Sequence, residues 1–501
     1  MTQVGDKTTE SESATGSSRL NWVGLLLGPC LAALLYLVLP DSLAGNGKIA
    51  AAVAMLMATW WVTEAIPLPA TALLPMIMFP VLGVAPIEDV VGPYADKVIF
   101  LFMGGFVLGL AMQRWNLHRR FALRTVLLVG TSPVRLIGGF MLATGFITMW
   151  VSNTATAVIM YPVGLSVLAL VGQLGDGKGD KNFSTALMLG IAYAASIGSL
   201  GTIIGTPPNT FLVGYLRDNH DINIGFGQWM LFGVPISAVF LVLAWLVLSK
   251  FVYRPRIKEL PGSRELLKQQ LDEMGPMSRG EKNALGVFIG AAAAWILAPL
   301  LADPTIMGGA ALTWLDRLDD SVIAMAVAVV LFILPAGGGA RTIDWDTTKQ
   351  LPWGVLLLFG GGLSLSGQFT ESGLSSWLGE QVRGLDVLPT VLFVAAAALI
   401  VLALTELTSN TATAATFIPI LGGVAVGLGI DPMALVVPAA LAATCAFMLP
   451  VATPPNAIVF GSGHVTIGQM VRGGVWLNVI AVVLITVAVY ALGGWILGIA
   501  L

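Results

Sequence analysis

Long apolar runs separated by short polar breaks dominate the chain, and runs of this length suit only one environment. A hydrocarbon layer about 30 Å thick takes roughly 20 apolar residues per helix. The runs near 22–40, 47–64, 66–83, 98–116, 185–215, 229–251, 283–301, 320–335, 353–370, 434–463 and 474–498 are therefore predicted spans, eleven in all. Two further apolar segments, 133–172 and 387–427, are too long for one crossing and carry polar residues in their middles. Both read as re-entrant hairpins, because non-helical backbone at membrane depth needs protein or a watery cavity around it. The expected fold is an all-α polytopic membrane protein with eleven transmembrane helices and two re-entrant hairpins.

The polar interruptions repeat. Ser152-Asn153-Thr154-Ala155-Thr156-Ala157 opens an eleven-residue stretch ending at Pro162, and Ser409-Asn410-Thr411-Ala412-Thr413-Ala414 opens another ending at Pro419. Seven of the eleven positions are identical at an offset of 257 residues. A second phrase follows each copy, Thr206-Pro207-Pro208-Asn209 and Thr453-Pro454-Pro455-Asn456. A third echo, Phe102-Met103-Gly104-Gly105 against Phe359-Gly360-Gly361-Gly362, keeps the offset of 257, and close helix packing explains its glycines at least as well as a ligand does. An odd number of spans puts the hairpins on opposite faces, the arrangement of an inverted-topology repeat. Paired interrupted segments of this kind point to a transporter's central binding site.

Composition agrees with the membrane reading. Hydrophobic residues are 56% of the chain and charged ones 11%, against roughly 45–50% and about 25% in soluble proteins. The net charge of −3 says little about partners, and no nucleic-acid partner is expected. The placement of charge says more. With the N-terminus in the cytoplasm, all of the 25 basic residues except Lys48, Lys97, Arg217, Arg317 and Arg383 fall on the inner side, as the positive-inside rule requires. The inner set includes the 250–282 run, read as a cytoplasmic loop with an amphipathic helix. Residues 1–19 read as a disordered cytoplasmic tail without the pattern of a cleaved signal peptide. Cys30 and Cys445 read as small buried hydrophobes, and His118, His220 and His464 are too scattered for a metal cluster or a triad.

Once the basic residues are assigned to loops, none remains for the membrane interior. What remains is hydroxyls, amides and backbone, plus Glu64 and Glu406 in apolar context. A hydrogen-bonded structural role is preferred for Glu64, while Glu406, three residues before Ser409, could equally be functional. Hydroxyl and amide donors at broken-helix ends suit carboxylate oxygens by geometry. Charge compensation must then come from elsewhere, and oxygen donors also suit a hard cation such as Na⁺. Gly198–Gly201 and Ala452-Thr453-Pro454 are the predicted unwound centres of two broken helices.

The paired Ser-Asn-Thr motifs, the two Thr-Pro-Pro-Asn phrases and Trp60-Trp61-Val62-Thr63-Glu64-Ala65-Ile66-Pro67 resemble the divalent anion/sodium symporter family of dicarboxylate and citrate carriers, over essentially residues 20–501. The resemblance implies a homodimer in which a scaffold domain carries a transport domain that moves like an elevator. Scaffold helices would occupy 20–130 and 229–386, and the transport domain 131–228 and 387–501. It further implies one sodium at Thr148, Ser152, Asn153 and the Gly198 backbone, and another at Thr405, Thr408, Asn410 and the Ala452 backbone. Thr148 would bring its hydroxyl and Thr408 its carbonyl. Substrate carboxylates would meet Asn153, Thr154, Ser199, Ser409, Asn410, Thr411, Thr453 and Pro454.

The function so implied is sodium-coupled symport of C4-dicarboxylates (succinate, fumarate, malate) across a bacterial cell membrane, with sodium as coupling ion and no cofactor. A sodium-independent exchanger, or a carrier of citrate or sulfate with the same fold, is the alternative. An enzyme lacks a paired base and nucleophile in the apolar region, and a channel would not give saturable, sodium-dependent uptake.

Overall fold

Two helices are buried on every side and organise everything around them. In Lys181–Ser199 every residue from Thr185 to Ser199 is buried, and in Met433–Ala443 all of them are. A helix that is apolar all round belongs inside a protein even in a membrane setting. In the computed structural model, which describes residues 14–130, 132–174, 180–257, 259–307, 310–382 and 388–501, each of these helices is broken at its end and resumes at a proline. Lys181–Ser199 resumes as Pro207–His220, and Met433–Ala443 resumes as Pro454–Phe460. Proline at the first helical position loses no hydrogen bond, since that N–H has no partner in a helix anyway.

A helical hairpin packs on each buried helix. Pro133–Thr148 and Asn153–Leu174 lie against Lys181–Ser199, and Thr390–Thr405 and Asn410–Leu428 lie against Met433–Ala443. The breaks start differently from the sequence reading. The first helix runs through Gly198 to Ser199 before opening at 200–206, and the second opens at Thr444, well before Ala452. Gly198 is small because two backbones meet there: a Cβ would lie 2.2 Å from the Gly145 carbonyl oxygen.

Around this centre run long apolar helices, including Lys97–Arg114, Phe226–Leu246, Arg279–Ala302, Trp353–Glu371 and Ile467–Ala488. Their outer faces expose Phe100, Val242, Ile289, Leu357 and Val483, tolerable only where lipid or protein replaces water. The chain is thus an all-α, multi-pass integral membrane protein, apart from a small antiparallel ribbon of Pro335–Gly337 with Ala340–Arg341. The glycine echo is a packing feature. Gly104 abuts the Ala324 backbone, Gly361 the Ala72 backbone, and the rings of Phe102 and Phe359 meet at 5.1 Å between centroids.

Several expectations change. The first helix begins at Ala14, inside the segment read as a tail, of which residues 1–13 lie outside the described residues. The span expected near 66–83 is split into Leu68–Thr71 and Leu74–Val81 by Pro75 and its neighbours. The basic stretch after Arg114 folds as the helix Leu117–Val129, with His118 buried in its first turn. Cys445 is buried as expected, but Cys30 lies on the exposed face of the first helix.

Candidate functional site

The tips of the two hairpins carry the same three-part clasp. In the first, the Thr148 hydroxyl lies 2.9 Å from Asn153 Oδ1 and 2.9 Å from the Ala195 carbonyl oxygen. In the second, the Thr405 hydroxyl lies 2.8 Å from Asn410 Oδ1 and 2.7 Å from the Ala443 carbonyl oxygen. Each clasp ties the last turn before the tip, the first residue after it and the buried helix behind it. Three oxygens of neutral groups converge at each, a donor set that suits a hard cation by type.

The breaks repeat as well. Asn209 Nδ2 donates to the carbonyls of Ser199, Leu200 and Thr202, and Asn456 Nδ2 to those of Ala446 and Leu449. Positions 199 and 202 correspond to 446 and 449 when the two Asn residues are superposed, so both phrases do one job. They help satisfy the unwound carbonyls of each break, beside donors such as Trp229 Nε1 on Leu200 and Ala452 N on Leu449. The threonine hydroxyls of the phrases differ: Thr453 caps Pro454–Phe460 by accepting from Asn456 N at 3.3 Å, while Thr206 meets Thr444 at 3.3 Å across the two breaks.

Both tips open on one cavity of about 860 Å³. Of the residues expected to bind, Ser152, Asn153, Thr154, Thr408, Ser409, Asn410, Thr411, Ala452, Thr453 and Pro454 line it. Thr148, Gly198, Ser199 and Thr405 sit behind its wall. Thr148 and Thr405 reach the site through Asn153 and Asn410, and Ser199 accepts from Asn153 Nδ2 at 3.4 Å while donating to the Ser196 carbonyl. Gly198 touches the first hairpin at Gly145 and Thr148. Thr408 points its hydroxyl at the Leu404 carbonyl (3.1 Å) and at Thr413 (2.6 Å), which leaves its carbonyl as the group to offer.

The two halves are not equal. Ser199 has Ala446 as its counterpart, so Asn153 Nδ2 has a hydroxyl behind it and Asn410 Nδ2 has none. Thr154 is exposed to the cavity, whereas Thr411 is buried. The wall also includes Thr206, Pro207, Phe102, Phe106, Gln113 and Gln350. Thr206 and Pro207 could have been found, since they stand where Thr453 and Pro454 do in the repeat. Phe106, Gln113 and Gln350 carried no sequence signal.

Among the described residues, no Lys, Arg or His lines the cavity. Its one ionisable lining residue is Glu64, which caps the helix Gly45–Thr63 in a left-handed conformation (φ 47°). Its side chain is exposed and makes no hydrogen bond among the described residues, which replaces the bonded role expected for it. Glu406, by contrast, is 2% exposed and fully bonded. Its carboxylate accepts from the backbone N–H groups of Phe447, Met448 and Leu449 and from Asn478 Nδ2.

Comparison with known proteins agrees with this architecture. The model of the sodium:sulfate symporter transmembrane region matches residues 19–499. The sodium-dependent dicarboxylate transporter SdcS of Staphylococcus saprophyticus is 45% identical over 485 residues, covering 95% of this chain and 92% of that protein. SdcS of Staphylococcus aureus is 43% identical over the same shares. Among solved structures, the Alcanivorax borkumensis YdaH transporter aligns with a TM-score of 0.56 at 18% identity, over 96% of this chain and 99% of that one. Neisseria gonorrhoeae MtrF aligns at 0.57 with 13% identity, over 96% of each. Those two bear on the fold alone. With a family model spanning nearly the whole sequence and relatives above 40% identity along it, the chain belongs to the divalent anion/sodium symporters, the sodium:sulfate symporter family.

Proposed function

We propose that the chain is a sodium-coupled symporter of C4-dicarboxylates, with succinate, fumarate and malate as its substrate class. The observation that carries this reading is the cavity itself: two duplicated oxygen clasps open on it, and no cationic side chain lines it. A dianion entering such a place leaves water at a cost of several kcal/mol per unpaired charge. Glu64 at the wall adds to that cost. Sodium ions held beside Asn153 and Asn410 supply the missing positive charge, and the amides and hydroxyls of Thr154, Ser409, Thr411 and Thr453 then orient the two carboxylates. The name of the SdcS relatives, sodium-dependent dicarboxylate transporters, supports the same assignment.

The first sodium site is Thr148, Ser152, Asn153 and the Gly198 backbone, and the second is Thr405, Thr408, Asn410 and the Ala452 backbone. In this reading the chain crosses the membrane eleven times, with the N-terminus and the basic loops in the cytoplasm of a bacterial cell. It pairs as a homodimer. Segments 131–228 and 387–501, with both hairpins, move as one body against 20–130 and 229–386.

Closing contacts at one end of two helices that line the cavity support an inward-facing state. Gln113 and Gln350 line it, at the C-terminal end of Lys97–Arg114 and just before Trp353–Glu371. The opposite ends of the same two helices are closed. There Arg217 pairs with Asp96, Asn219 Nδ2 donates to Ser366 Oγ at 3.1 Å, and Thr370 donates to Asn219 Oδ1 at 2.9 Å. These contacts join Pro207–His220, part of the moving body, to two scaffold helices. An elevator step must break them.

Uptake of labelled succinate into liposomes carrying the purified protein tests the assignment. Accumulation driven by an inward sodium gradient supports symport. Exchange of internal for external succinate without sodium would instead identify the exchanger.

A further inference from the structure

The two breaks hold their carbonyls in the same way and their amides in different ways. In the first, Leu200 N and Gly201 N donate to Ile197 and Gly198 carbonyls, one turn back in their own helix. In the second, three consecutive amides, Phe447, Met448 and Leu449, turn toward the hairpin tip and converge on Glu406. Successive N–H groups that face one point form a concave nest for an anion. Here the chain fills that nest with its own carboxylate. Asn478, on the helix Ile467–Ala488, adds a fourth donor at 2.7 Å, and among the described residues no Lys, Arg or His pairs with Glu406. The residue at Glu406's place in the first hairpin is Met149, which offers only its backbone carbonyl, to the Thr202 hydroxyl.

We propose that Glu406 is a tethered anion and a positioning residue for the second cation site, held in place by Asn478. Its carboxylate fixes the 447–449 turn against the hairpin tip. That turn leads directly to Ala452 and Thr453, while the neighbouring residue, Thr405, makes the second clasp. The second half-site therefore comes prebuilt and carries a buried negative charge. The first half-site, with methionine at the same place, is neutral and depends on Asn153 and Ser199 for its order. The two cation sites are consequently unequal: the second takes sodium first and most tightly, and the nest is closed to the substrate's own carboxylates. This inference rests on the sodium-coupled reading and adds the order and cause of cation binding to it.

The test uses full-length protein and two readouts, sodium-dependent thermal stabilisation in detergent and the sodium concentration for half-maximal succinate uptake in liposomes. Glu406→Gln keeps the side chain's size but turns an NH₂ group toward the amide nest. It is expected to raise half-saturating sodium about tenfold or more, the scale of losing charge-assisted hydrogen bonds. Uptake at saturating sodium should fall much less. Asn478→Leu should shift the same parameter in the same direction by a smaller factor. Glu406→Ala leaves an empty nest that formate can fill, so formate should lower its half-saturating sodium and leave wild type unchanged. A merely structural role would not give that rescue. If Glu406→Ala does not fold, Glu406→Gln and Asn478→Leu decide alone. Variants with wild-type sodium dependence overturn the proposal while leaving sodium coupling intact. A wild-type protein with neither sodium stabilisation nor sodium-driven uptake overturns the coupled reading, and this inference with it.

Discussion

An amide group carries one strong acceptor and two donors; at Asn153 and Asn410 the acceptor faces a threonine hydroxyl, and the Asn153 NH₂ also reaches Ser199 behind the wall. In the proposed site, sodium and substrate share these two residues. Replacing either by alanine removes one of the two partners of a buried hydroxyl and, in the proposed site, a ligand for both sodium and substrate, at about 1–3 kcal/mol per unsatisfied group. Asn153→Ala and Asn410→Ala are each expected to express and to lose nearly all sodium-driven uptake. Two single variants that transport normally would remove both from the site. A second residue bears on pH. His118 is buried, and burial holds its pKa below the ordinary value, against the raising effect of its bond to the Met112 carbonyl at 3.0 Å. That carbonyl can only accept, so Nδ1 carries the proton. Because the folded state disfavours the charged ring, stability from this residue is complete above the unfolded pKa near 6.5 and falls as pH drops below it. His118→Asn keeps a donor and does not titrate. Its melting temperature should fall less than wild type's between pH 7.5 and 5.5, and equal falls would exclude His118 as the source.

At the level of elements, the broken helices depend on close approach as much as on polar chemistry. A Cβ at Gly198 would lie 2.2 Å from Gly145 O and 2.5 Å from Thr148 Cγ2. Overpacking of this kind costs about 1–3 kcal/mol or more when the neighbour is backbone. Gly198→Ala should lower the melting temperature and weaken sodium binding together, because the displaced hairpin carries Thr148. A variant that melts like wild type would mean the hairpin moves freely. The duplicated Ser-Asn-Thr and Thr-Pro-Pro-Asn phrases made the hairpin tips and broken helices legible in the sequence, since proline and small polar residues stand out in an apolar chain. The start of each break was not legible. Helix ends there depend on what bonds the freed amides and carbonyls: Asn209 and Asn456 reach back from the ends of their phrases to the carbonyls, while Glu406 takes the amides of a turn 41 to 43 residues away. Glu64 misled for a related reason: its apolar neighbours suggest burial, whereas a left-handed turn turns it out into the cavity mouth. Leu117–Val129 was hidden by its arginines, which mark a loop by charge yet spiral comfortably as a helix.

Across the whole molecule, the two copies of the repeat bring their clasps to one cavity, and in the proposed topology the contacts of Arg217 and Asn219 hold its outer side closed. Arg217→Gln removes the ion pair to Asp96 and should shift the population toward the outward-open state. In a background lacking Cys30 and Cys445, a cysteine at Ala155, which lines the cavity, should then react faster with an impermeant reagent added outside. Unchanged labelling would show that the ion pair does not hold the outer side closed. The central claim is that a dianion and sodium enter this cavity together, with no basic side chain among its described lining residues. It is tested most directly by succinate uptake into proteoliposomes with and without an inward sodium gradient, with acetate as competitor. The account requires accumulation that depends on sodium, saturates, and is barely inhibited by acetate, whose single carboxylate leaves one half-site unfilled. Uptake indifferent to sodium, or blocked by acetate as readily as by succinate, would contradict it.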